Sequence, residues 1–377
     1  MPAVTLPSGR YNYPGGQNDT ITINGDATIN SSNGTDSIDV SGNARITVGT
    51  GADFVRVGGA GTVAVGNGGS SVSIGGAGAV TGGAGADTIY VGGNATISEG
   101  NGNKSITIGG GTVTVGAGND TIRVNNGSSS VAASVRSGAG NDSIYIAGGG
   151  KVTVGTGLDT VFIGGAGTVS AGAGNTAITV VGAAAVTVGA GRDSIQVGSG
   201  SISVGAGLDT IAATGLATVV GAFGKATVSG GSIETGTTVL GGKTIQMGMA
   251  LSGNVTMLGG SKAELLVGGG IGTNVSLRGG TANDTFWGGQ GNTTMSGGTK
   301  TNTYEFFASA AGGHHVITNF TGKSFLYLEG ESLASLQSNH EIAVSGGNTV
   351  ITLDDQTTIT LQGFTSDLKA SNIKTSA

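Results

Sequence analysis

The sequence has no cysteine, few charged or aromatic residues and no long apolar run, and each of these features argues against a class of protein. It contains no cysteine, so neither a disulfide framework nor a thiolate metal site can form. Only 10% of its 377 residues are charged and 4% are aromatic, which is unlike a charge-rich disordered chain or a helical bundle. No apolar run approaches the ~20 residues that span a bilayer, so we expect no membrane insertion.

Basic residues are also scarce. The 16 Lys and Arg are outnumbered by 22 Asp and Glu, which gives a formal charge of −6, and no basic run interrupts the chain. We therefore expect no nucleic-acid partner. The first residues include Pro2, Pro7 and Pro14 but no basic region followed by a long apolar stretch, so we expect no cleavable secretory signal there.

Groups suited to catalysis are few. The only histidines are His314, His315 and His340. His340 and Glu341 begin like the zinc-protease motif H-E-x-x-H, but Val344 stands where the second histidine must be. The sequence contains neither a G-x-S-x-G elbow nor a P-loop. We predict that the protein is not an enzyme.

Glycine is the residue present in excess. The 79 glycines make up 21% of the chain, about three times ordinary usage, and they lack the G-X-Y period of collagen. They belong to a repeat of about 17 residues, in which a Gly-x-Gly-x-Asp turn is followed by alternating apolar residues. Twelve equivalent positions follow one another from Asp19 to Asp209; nine are Asp, and the other three are Ser70, Lys104 and Thr176.

Each repeat contains two short strands. One copy reads GAGADTIYV at residues 83–91, and a second strand after another glycine turn reads GGGTVTV at residues 109–115. A strand of three or four residues cannot stand alone, but stacking the coils in parallel pairs each backbone with the next and aligns the apolar side chains into one narrow core. The sequence therefore predicts an all-β fold, a parallel β-solenoid of about 17 residues per coil with a β-rich cap at its C-terminal end.

The repeat pattern divides the chain into four parts. Residues 1–14 form a strand-like docking segment, residues 15–214 the solenoid that carries the Asp row, residues 215–300 a degenerate solenoid poor in Asp, and residues 301–377 the cap. A 22-residue step between Asp120 and Asp142 contains NNGSSS at residues 125–130, which predicts a surface loop. A late copy of the motif, GTANDTF at residues 280–286, carries Asp284.

The Asp row predicts a bound cation. In a parallel solenoid, carboxylates that recur once per coil stack about 5 Å apart and repel one another. Ca²⁺ suits such a row because it accepts six to eight oxygens in flexible geometry, including turn carbonyls. Where Asp is missing, the ammonium of Lys104 is a candidate to replace the ion. The alternative is that each Asp caps its own turn through the local backbone.

The repeat resembles the calcium-binding Gly-Gly-x-Gly-x-Asp-x-apolar-x nonapeptide of RTX proteins. The segment GGHHVITNF at residues 312–320, then LYLEG at residues 326–330, resembles the block that closes many of them, and residues 349–361 resemble their terminal hairpin. The resemblance implies a right-handed β-roll whose Ca²⁺ ligands come from one row of carboxylates: Asp19, Asp36, Asp53, Asp87, Asp120, Asp142, Asp159, Asp193, Asp209 and Asp284.

The family also implies export by a type I secretion system that reads a C-terminal signal, and hence a location outside a Gram-negative cell, secreted or on its surface. Three features depart from the family pattern. The first glycine of the nonapeptide is usually Val, as in VGAGND at residues 115–120, and His315 stands where the closing block usually has Asp. Only one side of the roll carries Asp, which implies a single row of ions.

The outward positions favour a structural role. The second strands present a file of mostly Thr and Ser, interrupted by Arg45, Lys151 and several alanines. We predict an extracellular structural protein that self-assembles into a filament, biofilm-matrix fibre or surface layer, through its solenoid ends or this flat Thr/Ser face. A cell-surface polysaccharide is a second expected partner. The alternatives are an adhesin or ligand-binding solenoid for glycan or ice, and a solenoid enzyme that modifies polysaccharides.

Overall fold

A computed structural model describes residues 4–126, 132–214, 217–229, 237–240, 244–247, 253–258, 263, 265–298, 300–307 and 312–374. They are almost entirely β-strand and form a β-solenoid of about 15 turns with ~17 residues per turn, so the predicted fold class is confirmed. The chain divides into two compact units, Met1–Ala183 and Ala184–Ala377. Among the described residues, no helix is long and apolar enough to cross a membrane.

The first unit contains seventeen strands, the last of which runs through the division between the units. They are β1 Val4–Tyr13, β2 Thr20–Ser31, β3 Ser37–Val40, β4 Ala44–Thr47, β5 Phe54–Val57, β6 Gly61–Ala64, β7 Ser71–Ile74, β8 Gly78–Thr81, β9 Thr88–Ser98, β10 Ser105–Thr114, β11 Thr121–Val124, β12 Ala133–Arg136, β13 Ser143–Ile146, β14 Gly150–Val154, β15 Thr160–Ile163, β16 Gly167–Ala171 and β17 Ala177–Thr187.

The second unit continues with strands and two short helical segments. They are β18 Ser194–Ala213, β19 Ala217–Ser229, β20 Thr237–Leu240, β21 Thr244–Met247, β22 Gly253–Leu258, β23 Leu265–Val267, β24 Thr273–Arg278, β25 Thr285–Trp287, β26 Asn292–Ser296, β27 Thr303–Phe306, β28 His314–Ile317, β29 Phe325–Leu328, α1 Leu333–Ser338, β30 Ile342–Ser345, β31 Asn348–Thr352, β32 Thr358–Leu361, a 3₁₀ turn Ala370–Asn372 and β33 Ile373–Lys374.

The strands of the first unit form two parallel ladders, one on each face of the solenoid. The first-strand ladder follows β2, β3, β5, β7 and β9 in register, so that Ile38 lies beside Val55 and Val55 beside Val72. The second-strand ladder follows β2, β4, β6, β8 and β9 in the same way. Register is strongly determined, because a one-residue slip would turn every buried side chain outward.

The core is a narrow double file of Ile and Val. Each four-residue strand alternates exposed and buried residues, as in β5, where Val55 and Val57 are buried and Phe54 and Arg56 are exposed. β-Branched side chains suit such half-buried strands. Burying each of these side chains contributes about 1.5–3 kcal/mol, and repetition in every coil replaces the large core of a globular domain.

Glycine is required where the coils turn. Gly140 has φ of +138°, and a Cβ added there would overlap the carbonyl oxygen of Gly118 in the preceding coil. Turn amides are satisfied by asparagines that sequence reasoning missed. The Oδ1 of Asn18 accepts the N–H of Thr35 one coil later at 2.9 Å, and the same bond recurs at Asn33, Asn43, Asn67, Asn101, Asn103, Asn119 and Asn141.

The expected docking segment at residues 1–14 is seen from residue 4 onward. There β1 pairs in parallel with β2, from Val4 beside Ile21 to Tyr13 beside Ser31. These residues therefore form a coil stacked on the next one. Of the predicted loop at residues 125–130, the part from 127 to 130 lies outside the described residues, and Asn126 is buried with its amide bonded to the backbone of Gly148 and Gly149.

Parallel stacking continues past residue 301. β27 pairs with β25 and β29, β28 pairs with β26, and β29 pairs with β33. The change of architecture follows β29, where the short helix α1 precedes the antiparallel strands β30, β31 and β32. The hairpin expected at residues 349–361 is present as β31 and β32.

Candidate functional site: the aspartate row

The Asp row lies inside the solenoid, immediately before the first strand of each coil. Its side chains take the inward positions that continue the alternation of the strand, as Asp87 does ahead of Ile89 and Val91. Asp36 and Asp120 are each 1% exposed, and the most exposed member of the row, Asp19, is 5% exposed. Carboxylates buried this deeply need partners.

One oxygen of most of these carboxylates binds the neighbouring coil. The N–H of Asp19 donates to Asp36 Oδ1 at 2.9 Å, and the N–H of Asp36 donates to Asp53 Oδ1 at 2.9 Å. The bond recurs at Asp87, Asp120, Asp142, Asp159 and Asp209, with lengths of 2.8–3.1 Å. Asp therefore links one coil to the coil before it, and does not cap its own turn as the alternative interpretation expected.

The second oxygen of several of these carboxylates has no partner. Oδ2 is buried without a hydrogen bond in Asp53, Asp120, Asp142 and Asp159. A buried acceptor left unpaired costs about 1–3 kcal/mol, and more when it is charged. A proton or a bound cation would therefore stabilise each of these oxygens.

The pKa values of the row reflect this demand. Burial raises the pKa of Asp120 to about 6, and the carboxylate of Asp142 raises it further, while the N–H of Lys104 opposes the shift. Burial likewise raises the pKa values of Asp53, Asp159 and Asp209, with a smaller contribution from the preceding carboxylate in each case. In these residues the ionised form is less stable inside the solenoid than in water.

Lys104 places a cation within the row. Its Nζ lies 2.5 Å from Asp87 Oδ2, 3.0 Å from the carbonyl oxygen of Gly83 and 3.5 Å from Glu99 Oε2, and all three charged side chains are fully buried. In other coils the equivalent of the Gly83 carbonyl accepts a glycine N–H from the next coil, as Gly49 does from Gly66. At Gly83 the carbonyl oxygen accepts from the ammonium instead.

Glu99 was missed by sequence reasoning. It lies five residues before Lys104, at an inward position that is Val in six of the twelve coils. Burial and the Asp87 carboxylate raise the pKa of Glu99 to about 7, whereas Lys104 lowers it. The same position is occupied by Ser31, whose hydroxyl donates to Asp36 Oδ2 at 2.6 Å. The sequence could have revealed both residues, because Glu99 and Ser31 each stand five residues before a position of the Asp row.

One predicted ligand, Asp284, and one gap in the row, Ser70, differ from the rest. Asp284 Oδ2 accepts the N–H of Gly280 within its own turn, and the N–H of Asp284 donates to Asn302 Oδ1 at 2.9 Å. Asn302 thus takes the place of an Asp in the next coil. At Ser70, which lacks a carboxylate, the hydroxyl oxygen accepts the N–H of Asp53 at 3.3 Å.

His314 and His315 point to opposite faces of β28, as adjacent strand residues do. Throughout the part of the chain that the structure describes, no three His or acidic side chains form a ready-made metal site. An ion in the Asp row must therefore take further oxygens from the backbone or water. The unpaired Oδ2 atoms are hard oxygen donors, and this chemistry fits a calcium ion whose coordination backbone carbonyls or water complete.

The outward faces carry small polar side chains. On the second strands, Thr47, Thr81, Ser98, Thr114 and Ser170 are exposed in one file. The first-strand face has an exposed ion pair between Arg56 and Asp39 at 3.1 Å. It also has a stack in which Arg123 lies over Tyr145 and Tyr145 lies over Phe162, with 5.0 Å between the two rings.

No model of a known protein family matches the chain, and no curated protein sequence matches it either.

Proposed function

We propose that the chain is an extracellular structural protein, a β-solenoid that calcium stabilises and that assembles with its own copies into a filament, matrix fibre or surface layer. The observation that carries the proposal is the series of buried, unpartnered Oδ2 atoms in Asp53, Asp120, Asp142 and Asp159. Ile and Val already fill the core, so apolar packing does not explain a row of buried carboxylate oxygens.

Lys104 supports the calcium part of the proposal. Where one cation is built into the row, a carboxylate and a turn carbonyl turn toward it. Asp53, Asp120, Asp142 and Asp159 in the first unit and Asp193 in the second would hold calcium through the same combination of oxygens. Bound calcium would neutralise the row and hold adjacent coils together, because it binds only the ionised carboxylates of the folded chain.

The outward faces support assembly. The second-strand face carries few charged side chains, with Arg136 in the Thr and Ser file and Arg45 and Lys151 in the file beside it, so most of the surface that two such faces would bring together is uncharged.

A groove that binds polysaccharide would need clustered aromatic rings open to the sugar, whereas Tyr145 is covered by Arg123 and Phe162. The exposed rings of Phe54 and Tyr90 lie two coils apart. This arrangement favours a building unit over the glycan-binding alternative.

The C-terminal block that resembles the closing segment of RTX proteins supports secretion by a type I system. A test is to fuse residues 301–377 to a reporter in a Gram-negative host with and without such a system. Secretion only in the first host is expected, and equal retention in both hosts would contradict this part of the proposal.

The test of the structural role is negative-stain electron microscopy of the full chain in millimolar calcium and in excess chelator. Regular fibres or sheets that dissolve on chelation are expected. A variant with Asp120, Asp142 and Asp159 all changed to Asn should lose the calcium response, whereas Asp39→Asn, on the outer face, should keep it. Single particles in both conditions at high protein concentration would overturn the assembly proposal.

A further inference from the structure

A second site lies in the second unit, remote in sequence from the Asp row of the first unit. A cavity of about 200 Å³ is lined by the side chains of Glu329, Glu331, Asp354 and Asp355, by His315, and by Phe306 and Phe307 among others. This volume would hold about six water molecules. Four carboxylates thus surround one small space, and no basic side chain is among the residues that line it.

His315 supplies an independent sign of a ligand. The side chain is 1% exposed, and its Nε2 lies 3.0 Å from the carbonyl oxygen of Gly312. A carbonyl only accepts, so Nε2 must carry the proton and Nδ1 must carry a lone pair. That Nδ1 is buried with no hydrogen-bond partner. Burial lowers the pKa of His315 to about 4, so the ring is neutral at physiological pH.

The polar atoms of the lining are acceptors already held in place. Asp355 Oδ1 accepts the N–H of Thr357 at 2.8 Å, and Thr357 Oγ1 accepts the N–H of Gly312 at 2.8 Å. Glu331 Oε2 accepts the hydroxyl of Ser335 at 2.6 Å. The cavity therefore combines carboxylates and an imidazole lone pair with two aromatic walls, a lining that complements a ligand rich in N–H donors and positive charge.

The geometry points to a binding site for an organic cation, the guanidinium or ammonium end of an alkyl chain. A single metal ion fits less well, because no three acidic or His side chains among the described residues converge on one point. A guanidinium group presents five N–H donors in several directions and can reach acceptors that stand apart. Phe306 and Phe307 provide apolar and cation–π contacts for the chain and its charge.

The chain provides its own reporter for a test. Trp287 is the only tryptophan, and its ring meets Phe307 edge-on at 5.2 Å. We expect n-butylguanidinium to change the Trp287 emission in a saturable way, and n-butylurea, which has a similar shape but no charge, to leave it unchanged. N-Acetyl-arginine amide serves as a second probe. Binding of both cations indicates the side chain of a protein partner, and binding of n-butylguanidinium alone indicates a small free alkylguanidine.

Variants locate the site. Changing Asp354 and Asp355 together to Asn should weaken n-butylguanidinium binding by at least about tenfold, while each Asn keeps an oxygen acceptor. Glu331→Gln should also weaken binding and serves if the double variant does not fold. Asp367→Asn removes an exposed carboxylate nearby in sequence and should have no effect.

Three results would overturn the inference: no saturable change up to about 10 mM n-butylguanidinium, an equal response to n-butylurea, or an equal loss in the Asp367→Asn variant. If micromolar Zn²⁺ displaced n-butylguanidinium and itself changed the Trp287 emission in the same way, the cavity would be a metal site instead.

Discussion

Removing the charge of Lys104 is the most direct test of how the row is neutralised. In a Lys104→Met variant, Asp87 and Glu99 remain buried with no cation beside them. Breaking a buried ion pair by removing one partner costs about 3–5 kcal/mol. For a unit of this size, 1 kcal/mol shifts Tm by about 2–4 °C, so a loss of roughly 10 °C is expected.

The loss should depend on pH in a defined direction. The pKa of Glu99 is about 7 with Lys104 present and rises further without it, so at pH 8 the variant loses stability either through an unpaired Glu99 charge or through the proton uptake that removes that charge. At pH 5.5 Glu99 binds a proton, and the difference between variant and parent should shrink. Thermal unfolding followed by circular dichroism in chelator at both pH values measures this. Adding calcium at pH 8 should recover part of the loss if the ion takes the place of the ammonium.

Lys151→Met is the matched control, because Lys151 is an exposed lysine on β14 and makes no contact with the row. It should leave Tm unchanged at both pH values. Equal melting of the Lys104→Met variant and the parent at pH 8 in chelator would refute the assignment of Lys104 as the internal counter-ion.

Three further predictions concern the row and its turns. In chelator, the stability that protonated Asp120 contributes should be fully present below pH 3.8, its usual pKa, and should be lost as pH rises through about 6, because the folded state holds the proton more tightly. The largest contribution to the free energy of unfolding is about 3 kcal/mol, and measurements of Tm against pH check it. Asp159→Asn should raise stability in chelator by about 1 kcal/mol, since it removes a buried unpaired charge, and should reduce the gain in Tm that calcium gives. Gly140→Ala should lower Tm by several degrees because the methyl group overlaps the carbonyl of Gly118, whereas Gly322→Ala, which meets no atom within 4 Å, should not. A gain in chelator stability as pH rises from 4 to 7, or equal Tm values for the two alanine variants, would contradict the respective arguments.

The fold was predictable because the same local pattern of strand and turn residues recurs in every repeat. The 17-residue period, the alternation in copies such as residues 83–91 and the glycines at the turns each indicate strand or turn, and stacking is the arrangement that buries their apolar residues together. The same regularity placed the Asp residues in one row and identified Lys104 as the position where a basic residue replaces Asp. These conclusions need only local pattern and period.

Contacts between coils could not be read from the period alone. Whether an Asp oxygen binds its own turn or the coil before it depends on the direction of a side chain at a corner, and the structure places Asp36 Oδ1 on the N–H of Asp19. Glu99 and Ser31 sit five residues before the row, and only their inward direction brings them to it. The cavity beside His315 joins β27, β28 and the segments after β29 and β31, which are distant in sequence. Sequence determined the coil and the kinds of charge it carries, because both follow from short-range pattern; tertiary structure decided which charges meet, because packing alone sets the distances between coils.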